Sequence, residues 1–167
     1  MSTMDNLKTA FAGESQANRK YLAFSEKAAQ EGLPGVAKVF RAASEAEAIH
    51  AKTLLGVMGG LKSTAENLAG SIDGETYEFM DMYPKFIAEA ENEGRKEAIT
   101  PFTYAMKAEE IHAGLYTKAA EAVRGGKDLE VSKVFLCPVC GNVALEEAPE
   151  RCPICNVPGA RFREITA

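Results

Sequence analysis

The sequence predicts an all-α four-helix bundle followed by a small C-terminal β/loop domain built around a metal, and three observations predict it. Four segments of helix length fill residues 1–126, separated by turns marked by glycine and proline. From Val134 onward the composition changes: helix signals fade and all four cysteines appear, with Pro138, Pro149 and Pro153 beside or between them. Those cysteines form two Cys-x-x-Cys pairs, a spacing that suits metal knuckles better than a disulfide framework in a chain without a secretion signal.

The first helix is expected from about Met4 to Glu31, with Leu7, Phe11, Tyr21, Leu22 and Phe24 among its apolar positions. Gly32-Leu33-Pro34-Gly35 is a turn by composition. The second helix runs from about Val36 to Met58, where Gly59-Gly60 stops it. Ser63 or Thr64 can cap a third helix that reaches about Glu93, and Pro84 inside it removes a backbone bond or kinks it. The fourth helix runs from about Arg95 to Arg124, with Pro101 pointing to an irregular first turn and Gly125-Gly126 ending it. Residues 127–133 are polar and read as a linker, and 134–167 as the second domain, with short β-type pieces at Lys133–Leu136 and Arg161–Ile165 flanking the cysteines.

Composition narrows the function classes. The chain has 167 residues, 46% hydrophobic and 26% charged, with a net charge of -5. An acidic balance argues against a nucleic-acid partner, because phosphate binding needs basic surface. The segment from Lys127 to Ala167 does not depart from this, holding five Lys/Arg against six Asp/Glu. No apolar run approaches the ~20 residues of a membrane helix, and the start of the chain lacks a basic-then-apolar signal, so the expected compartment is cytoplasmic.

The helical region repeats itself. Glu47-Ala-Ile-His50 and Glu109-Glu-Ile-His112 share the form Glu-x-x-His and use both histidines of the chain. Each follows a glutamate in the preceding helix by a similar interval, 33 positions from Glu14 to Glu47 and 34 from Glu75 to Glu109. Residues at i and i+3 share a helix face, so each motif aims a carboxylate and an imidazole at one place. One glutamate from each of two helices plus Glu-x-x-His from each of the other two is the two-metal pattern of bundle proteins. Glu78, three positions after Glu75, adds a carboxylate on that face, for which a solvated acidic surface is the rival reading. Clustered carboxylates in a core are strongly disfavoured without cations to neutralise them. Oxygen and imidazole donors suit iron or manganese, with zinc compatible by ligand type. Cys137, Cys140, Cys152 and Cys155 can supply a tetrahedral four-sulfur shell, in which iron makes a one-electron carrier and zinc an inert staple.

Taken together, AFAGESQANRKY around Glu14, DGETYEFMDMYP around Glu75 and Glu78, the two Glu-x-x-His motifs and CPVCG…RCPIC resemble the rubrerythrins over nearly the whole chain. The resemblance implies a ferritin-like bundle with a non-haem di-iron site (two Fe), joined to a rubredoxin-like domain with one Fe in an Fe(Cys)4 site, zinc being a possible substitute. It implies a peroxidase that reduces hydrogen peroxide to water in defence against oxidative stress. Electrons would enter at Fe(Cys)4 from a rubredoxin- or reductase-type donor linked to NAD(P)H and pass to the di-iron centre. Carried over by motif, Glu47 and Glu109 bridge the irons, Glu14 ligates one, Glu75 and His112 the other, and Glu78 and His50 alternate on the first as its oxidation state changes. Tyr21 and Tyr83 match family tyrosines that hydrogen-bond ligand carboxylates. Asn142 departs from the family, many relatives carrying an aromatic there. The alternative enzyme reading is a ferroxidase or iron-handling protein, for which a built-in electron entry port is superfluous. The non-enzymatic alternative is a structural or regulatory zinc protein.

The repeat also bears on assembly. If the two helical hairpins are related by a two-fold axis, the second and third helices run parallel and the chain must travel back between them. Glu47 lies about 11 residues before the end of the second helix and Glu75 about 11 after the start of the third, so the return is roughly 33 Å. The link from Gly59 to Ser63 spans at most ~18 Å. A helix-swapped homodimer is therefore expected, unless the third helix starts later, near Ser71.

Overall fold

The computed structural model describes residues 2–166; the outermost expected domain bounds, residues 1 and 167, lie outside the described residues. The protein is mostly helical, with a small C-terminal region of strands and loops holding the four cysteines. It divides into two compact units, one ending at Lys62 and the other beginning at Ser63.

The first unit is a hairpin of α1 (Thr3–Gln30) and α2 (Pro34–Val57). Ser2 and Asp5 form a reciprocal capping box that satisfies backbone donors at the start of α1. The turn after α1 needs a left-handed residue, and Gly32 supplies it at φ 76°. There the Leu33 N–H reaches the Ala28 carbonyl at 2.9 Å and the Gly32 N–H the Ala29 carbonyl at 3.1 Å, a Schellman closure. Small residues (Ala28, Ala37, Ser44 and Ala51) are the buried ones, letting the two helices approach closely.

The second unit opens with α3 (Thr64–Tyr77), capped by Ser63 and Glu66 in a second capping box. The third helix thus starts at Thr64, not near Ser71. It does not run straight through: a π-helical turn, Glu78–Met82, interrupts it before α4 (Tyr83–Asn92). Pro84 explains the break, because it has no N–H to offer the preceding turn. The Tyr83 N–H bonds instead to the Glu78 carbonyl, five residues back. Gly94 repeats the Gly32 device at φ 69°, with Arg95 N–H on the Ala90 carbonyl at 2.8 Å, and turns the chain into α5 (Lys96–Arg124). Pro101 sits inside α5 without ending it; the expected irregularity is confined to the Ala98 N–H, which bonds to Arg95 three residues back at 3.0 Å.

After residues 127–133 the chain forms a three-stranded antiparallel sheet in the order β2-β1-β3: β1 (Val134–Leu136), β2 (Val143–Leu145) and β3 (Arg163–Glu164). Val134 pairs with Leu145 and Leu136 with both Val143 and Arg163. Cys137, Cys140 and Cys152 are the buried centre of this module, with Ile154, Val157, Phe162 and Tyr104 of α5 packed around them. No helix among the described residues is long and apolar enough to cross a membrane.

Candidate metal centres

The helix pairing that builds the first unit also builds a donor cluster. Asn18, one turn after Glu14, donates its side-chain amide to the Ser44 carbonyl at 2.7 Å, and the buried Ser44 hydroxyl donates to the Asn18 carbonyl at 2.9 Å. This clamp fixes the register of α1 against α2, so that Glu14 faces Glu47 and His50. Donor atoms of those three residues lie within 4.8 Å of one another. His50 Nδ1 is 2.8 Å from Glu47 Oε2 and 3.7 Å from Glu14 Oε2. A hydrogen bond between the two carboxyls raises Glu14 and lowers Glu47. Tyr21 packs in an aromatic group with Phe24 and Phe40, ring centroids 6.3 Å away in each case.

The second unit repeats the trio. Glu75 of α3 meets Glu109 and His112 of α5, donor atoms again within 4.8 Å. His112 Nδ1 is 2.7 Å from Glu109 Oε2. Burial, then the charge of Glu109, pushes the Glu75 carboxyl up to about 7. Glu78, delivered by the π turn, is raised by the same two causes, which places it beside Glu109 although it is not one of the trio. Tyr83 is raised by burial and by the charges of Glu78, Glu109 and Glu75. So Glu75, Glu78, Tyr83, Glu109 and His112 gather in one unit, while Glu14, Glu47 and His50 gather in the other, which also holds Tyr21.

One contact could not be anticipated from the motif. His112 Nε2 lies 3.0 Å from the carbonyl oxygen of Gly141, in the first cysteine knuckle. A carbonyl only accepts, so Nε2 carries the hydrogen of this bond and Nδ1 is the nitrogen turned toward the carboxylates. That is the orientation a metal-ligating imidazole needs, with its other nitrogen held by a hydrogen bond. Gly141 takes a left-handed φ of 82°, which favours glycine, and it faces the small Ala108 of α5, whose Cβ would lie in ordinary contact, 3.9 Å, with a Cβ placed on Gly141. The only hint in the sequence is the small residue Ala108, four positions before His112.

The four thiols form the third cluster. Cys137 and Cys155 sulfurs are 3.6 Å apart, and those of Cys140 and Cys152 3.4 Å. A disulfide needs about 2.05 Å. A tetrahedral shell at ~2.3 Å from a central metal puts sulfurs roughly 3.8 Å apart, close to what is seen. Burial pushes the Cys140 thiol far up and raises Cys155 too. Burial also acts upward on Cys152, but backbone N–H groups of Cys155 and Ile154, with the neighbouring thiols, outweigh it and bring Cys152 down to about 7. A set of buried thiols that cannot all ionise alone fits a cation at their centre. The glutamate and histidine trios fit hard or borderline cations equally well, since oxygen and imidazole donors converge with no lysine or arginine in either trio.

The chain also matches known proteins along both of its parts. The profile of the rubrerythrin family matches residues 5–120, and that of the rubrerythrin rubredoxin-like domain matches residues 135–163. The chain is similar to rubrerythrin-2 of Clostridium acetobutylicum, 37% identical over 96% of this chain and 95% of the relative. It is similar to nigerythrin of Nitratidesulfovibrio vulgaris, 37% identical over 96% of this chain and 85% of that one. Among solved structures it resembles nigerythrin in a mixed-valence state, with a TM-score of 0.57 and 37% identity, covering 99% of this chain and 87% of that one. The fully reduced, all-ferrous state of nigerythrin matches with a TM-score of 0.58 and 36% identity over the same shares.

Proposed function

The chain belongs to the rubrerythrin family of oxidoreductases, and from that premise we propose that it is a peroxidase. It reduces hydrogen peroxide to two waters, taking two electrons and two protons, with the electrons drawn from NAD(P)H through a rubredoxin- or reductase-type donor protein. The family's cofactors are a di-iron site and an iron in the rubredoxin-like four-cysteine site, and the donor sets of this chain fit both. When bound, the iron pair supplies two electrons at one place, and the four-cysteine iron accepts them singly.

The chain's own residues do the rest. Residues 1–126 hold the carboxylate and imidazole donors, 127–133 connect, and 134–167 form the electron entry module. Glu47 and Glu109 would be shared by both metals, Glu14 would hold one of them, and Glu75 with His112 the other. Glu78 and His50 would be alternative donors to the first: a carboxylate suits the more highly charged oxidised state, a neutral imidazole the reduced one. Tyr83 stands beside Glu75, Glu78 and Glu109, and Tyr21 is assigned the matching place by the first trio. The observation that carries the peroxidase reading over a ferroxidase is the 3.0 Å bond from His112 Nε2 to Gly141. It puts the entry module one hydrogen bond from a ligand, an arrangement that iron storage does not need.

We propose further that the working form, expected in the cytoplasm, is a helix-swapped homodimer. Each unit owns only part of the seven-donor set, and the link from Val57 to Thr64 is short. The single chain also leaves large apolar side chains in water, among them Val39 (70% exposed) and Ile49 (66%) in the first unit and Met80 (62%) in the second. A second copy of the chain, presenting the complementary hairpin, covers such faces and completes the donor set.

The test of the peroxidase reading is anaerobic: iron-loaded protein, a coupled NAD(P)H-dependent donor system, and hydrogen peroxide or dioxygen as oxidant. Peroxide-dependent NAD(P)H consumption is expected. Ferrous-ion oxidation by dioxygen without peroxide turnover would put the ferroxidase in its place.

A further inference from the structure

We propose that Asn142 tunes the reduction potential of the four-cysteine iron by donating a side-chain N–H···S bond to Cys152. Asn142 is only 3% exposed. Its carbonyl accepts the Cys137 N–H at 2.8 Å, which anchors the residue inside the first knuckle. From there its side-chain Nδ2 reaches across to the second knuckle and lies 3.8 Å from Cys152 Sγ. Sulfur is a large acceptor, and N–H···S bonds are correspondingly longer than N–H···O bonds.

The orientation of the amide follows from electrostatics. A metal-bound thiolate only accepts. Turning the carboxamide oxygen toward it would press two negative ends together in a buried place, so the NH2 end faces the sulfur. Reduction adds an electron to a centre that is already anionic, and much of the added charge resides on the sulfurs. A donor aimed at one sulfur therefore stabilises the reduced form more than the oxidised form and raises the potential. Low exposure strengthens the effect, because no water competes for the sulfur. Cys152 also receives backbone donors from Ile154 and Cys155. Those belong to the Cys-x-x-Cys turn itself and exist whatever the side chains are. The Asn142 bond depends on one side chain, so it is the adjustable one. Its consequence for the entry port is direct: the four-cysteine iron takes an electron from a weaker donor than it could without the bond.

The proposal needs iron at the four cysteines and is independent of which oxidant the enzyme reduces. It is tested on the full-length, iron-loaded protein by an optical redox titration of the visible absorption of the ferric form. In Asn142→Leu the donor is gone at similar volume, and the ratio of reduced to oxidised iron at fixed applied potential should fall about tenfold, a 59 mV decrease for a one-electron couple. Asn142→Asp keeps the shape but puts a carboxylate beside the thiolate, and should fall further. Midpoints of both variants within twofold of the unaltered protein, or above it, would overturn the assignment. Should Asn142→Leu not retain iron, the smaller, uncharged Asn142→Ala decides: a lower midpoint supports the bond, an unchanged or higher one refutes it.

Discussion

Glu75 shows what the donor clusters cost the protein in the absence of metal. Its carboxyl, on α3, faces Glu109 and His112 on α5 and Glu78 in the π turn, and burial together with Glu109 raises it from an ordinary 4.5 to about 7. In the unfolded chain the group ionises near 4.5; in the folded chain it keeps its proton until about 7. Folding thus takes up a proton in that window, so stability is undiminished below it, falls as pH rises through it, and carries the full penalty above it. The metal-free protein should therefore melt at a higher temperature at about pH 5 than at about pH 7.5, and Glu75→Gln should flatten that slope. Bound divalent cations reverse the sign, because metal competes with protons for the same oxygens. Thermal melts with and without metal across that range check both statements. The convergence of Glu75, Glu109 and His112 was legible from spacing and residue type alone. The hydrogen of His112 on the Gly141 carbonyl and the reach of Asn142 to Cys152 were not, because both depend on contacts between segments that spacing along the chain does not encode.

At the scale of elements, the π turn is the feature on which Glu78 depends. Pro84 announces a break in the third helix, and a break is what occurs, but its form is a register shift of one residue rather than a simple kink. Glu78 opens that turn at ordinary helical dihedrals, its N–H still on the Gly74 carbonyl, and shares the neighbourhood of Glu109 with Glu75. If Glu78 exchanges with His50 during turnover, Glu78→Ala should retain iron yet lose most peroxide turnover, on the order of 100-fold. Iron analysis and turnover on the same sample separate this from simple loss of metal; unchanged turnover would remove Glu78 from the mechanism. The hairpin turns were more readable. Gly32 and Gly94 follow the last turns of α1 and α4, and both adopt the left-handed conformation that such closures require. In the cysteine module β1 and β3 were visible as short apolar or alternating runs. β2 was hidden, because Val143–Leu145 is only three residues long and is specified by its pairing with β1.

For the molecule as a whole, the central claim is that peroxide turnover requires the Glu14–Glu47–His50 trio and the Glu75–Glu109–His112 trio in one centre, contributed by two chains. The repeat made both trios legible, and chain length against helix rise pointed to exchange between copies. The start of α3 at Thr64 removes the longer link that would have relaxed that argument. Subunit mixing tests the claim most directly. Glu47→Ala chains and Glu109→Ala chains are each prepared alone, then unfolded and refolded together with iron, and assayed for peroxide turnover. In a swapped dimer, each mixed pair holds one centre with both lesions and one with none, so the mixture should recover about a quarter of the unaltered activity while each variant alone stays inactive. A mixture as inactive as its separate components would contradict the two-chain centre.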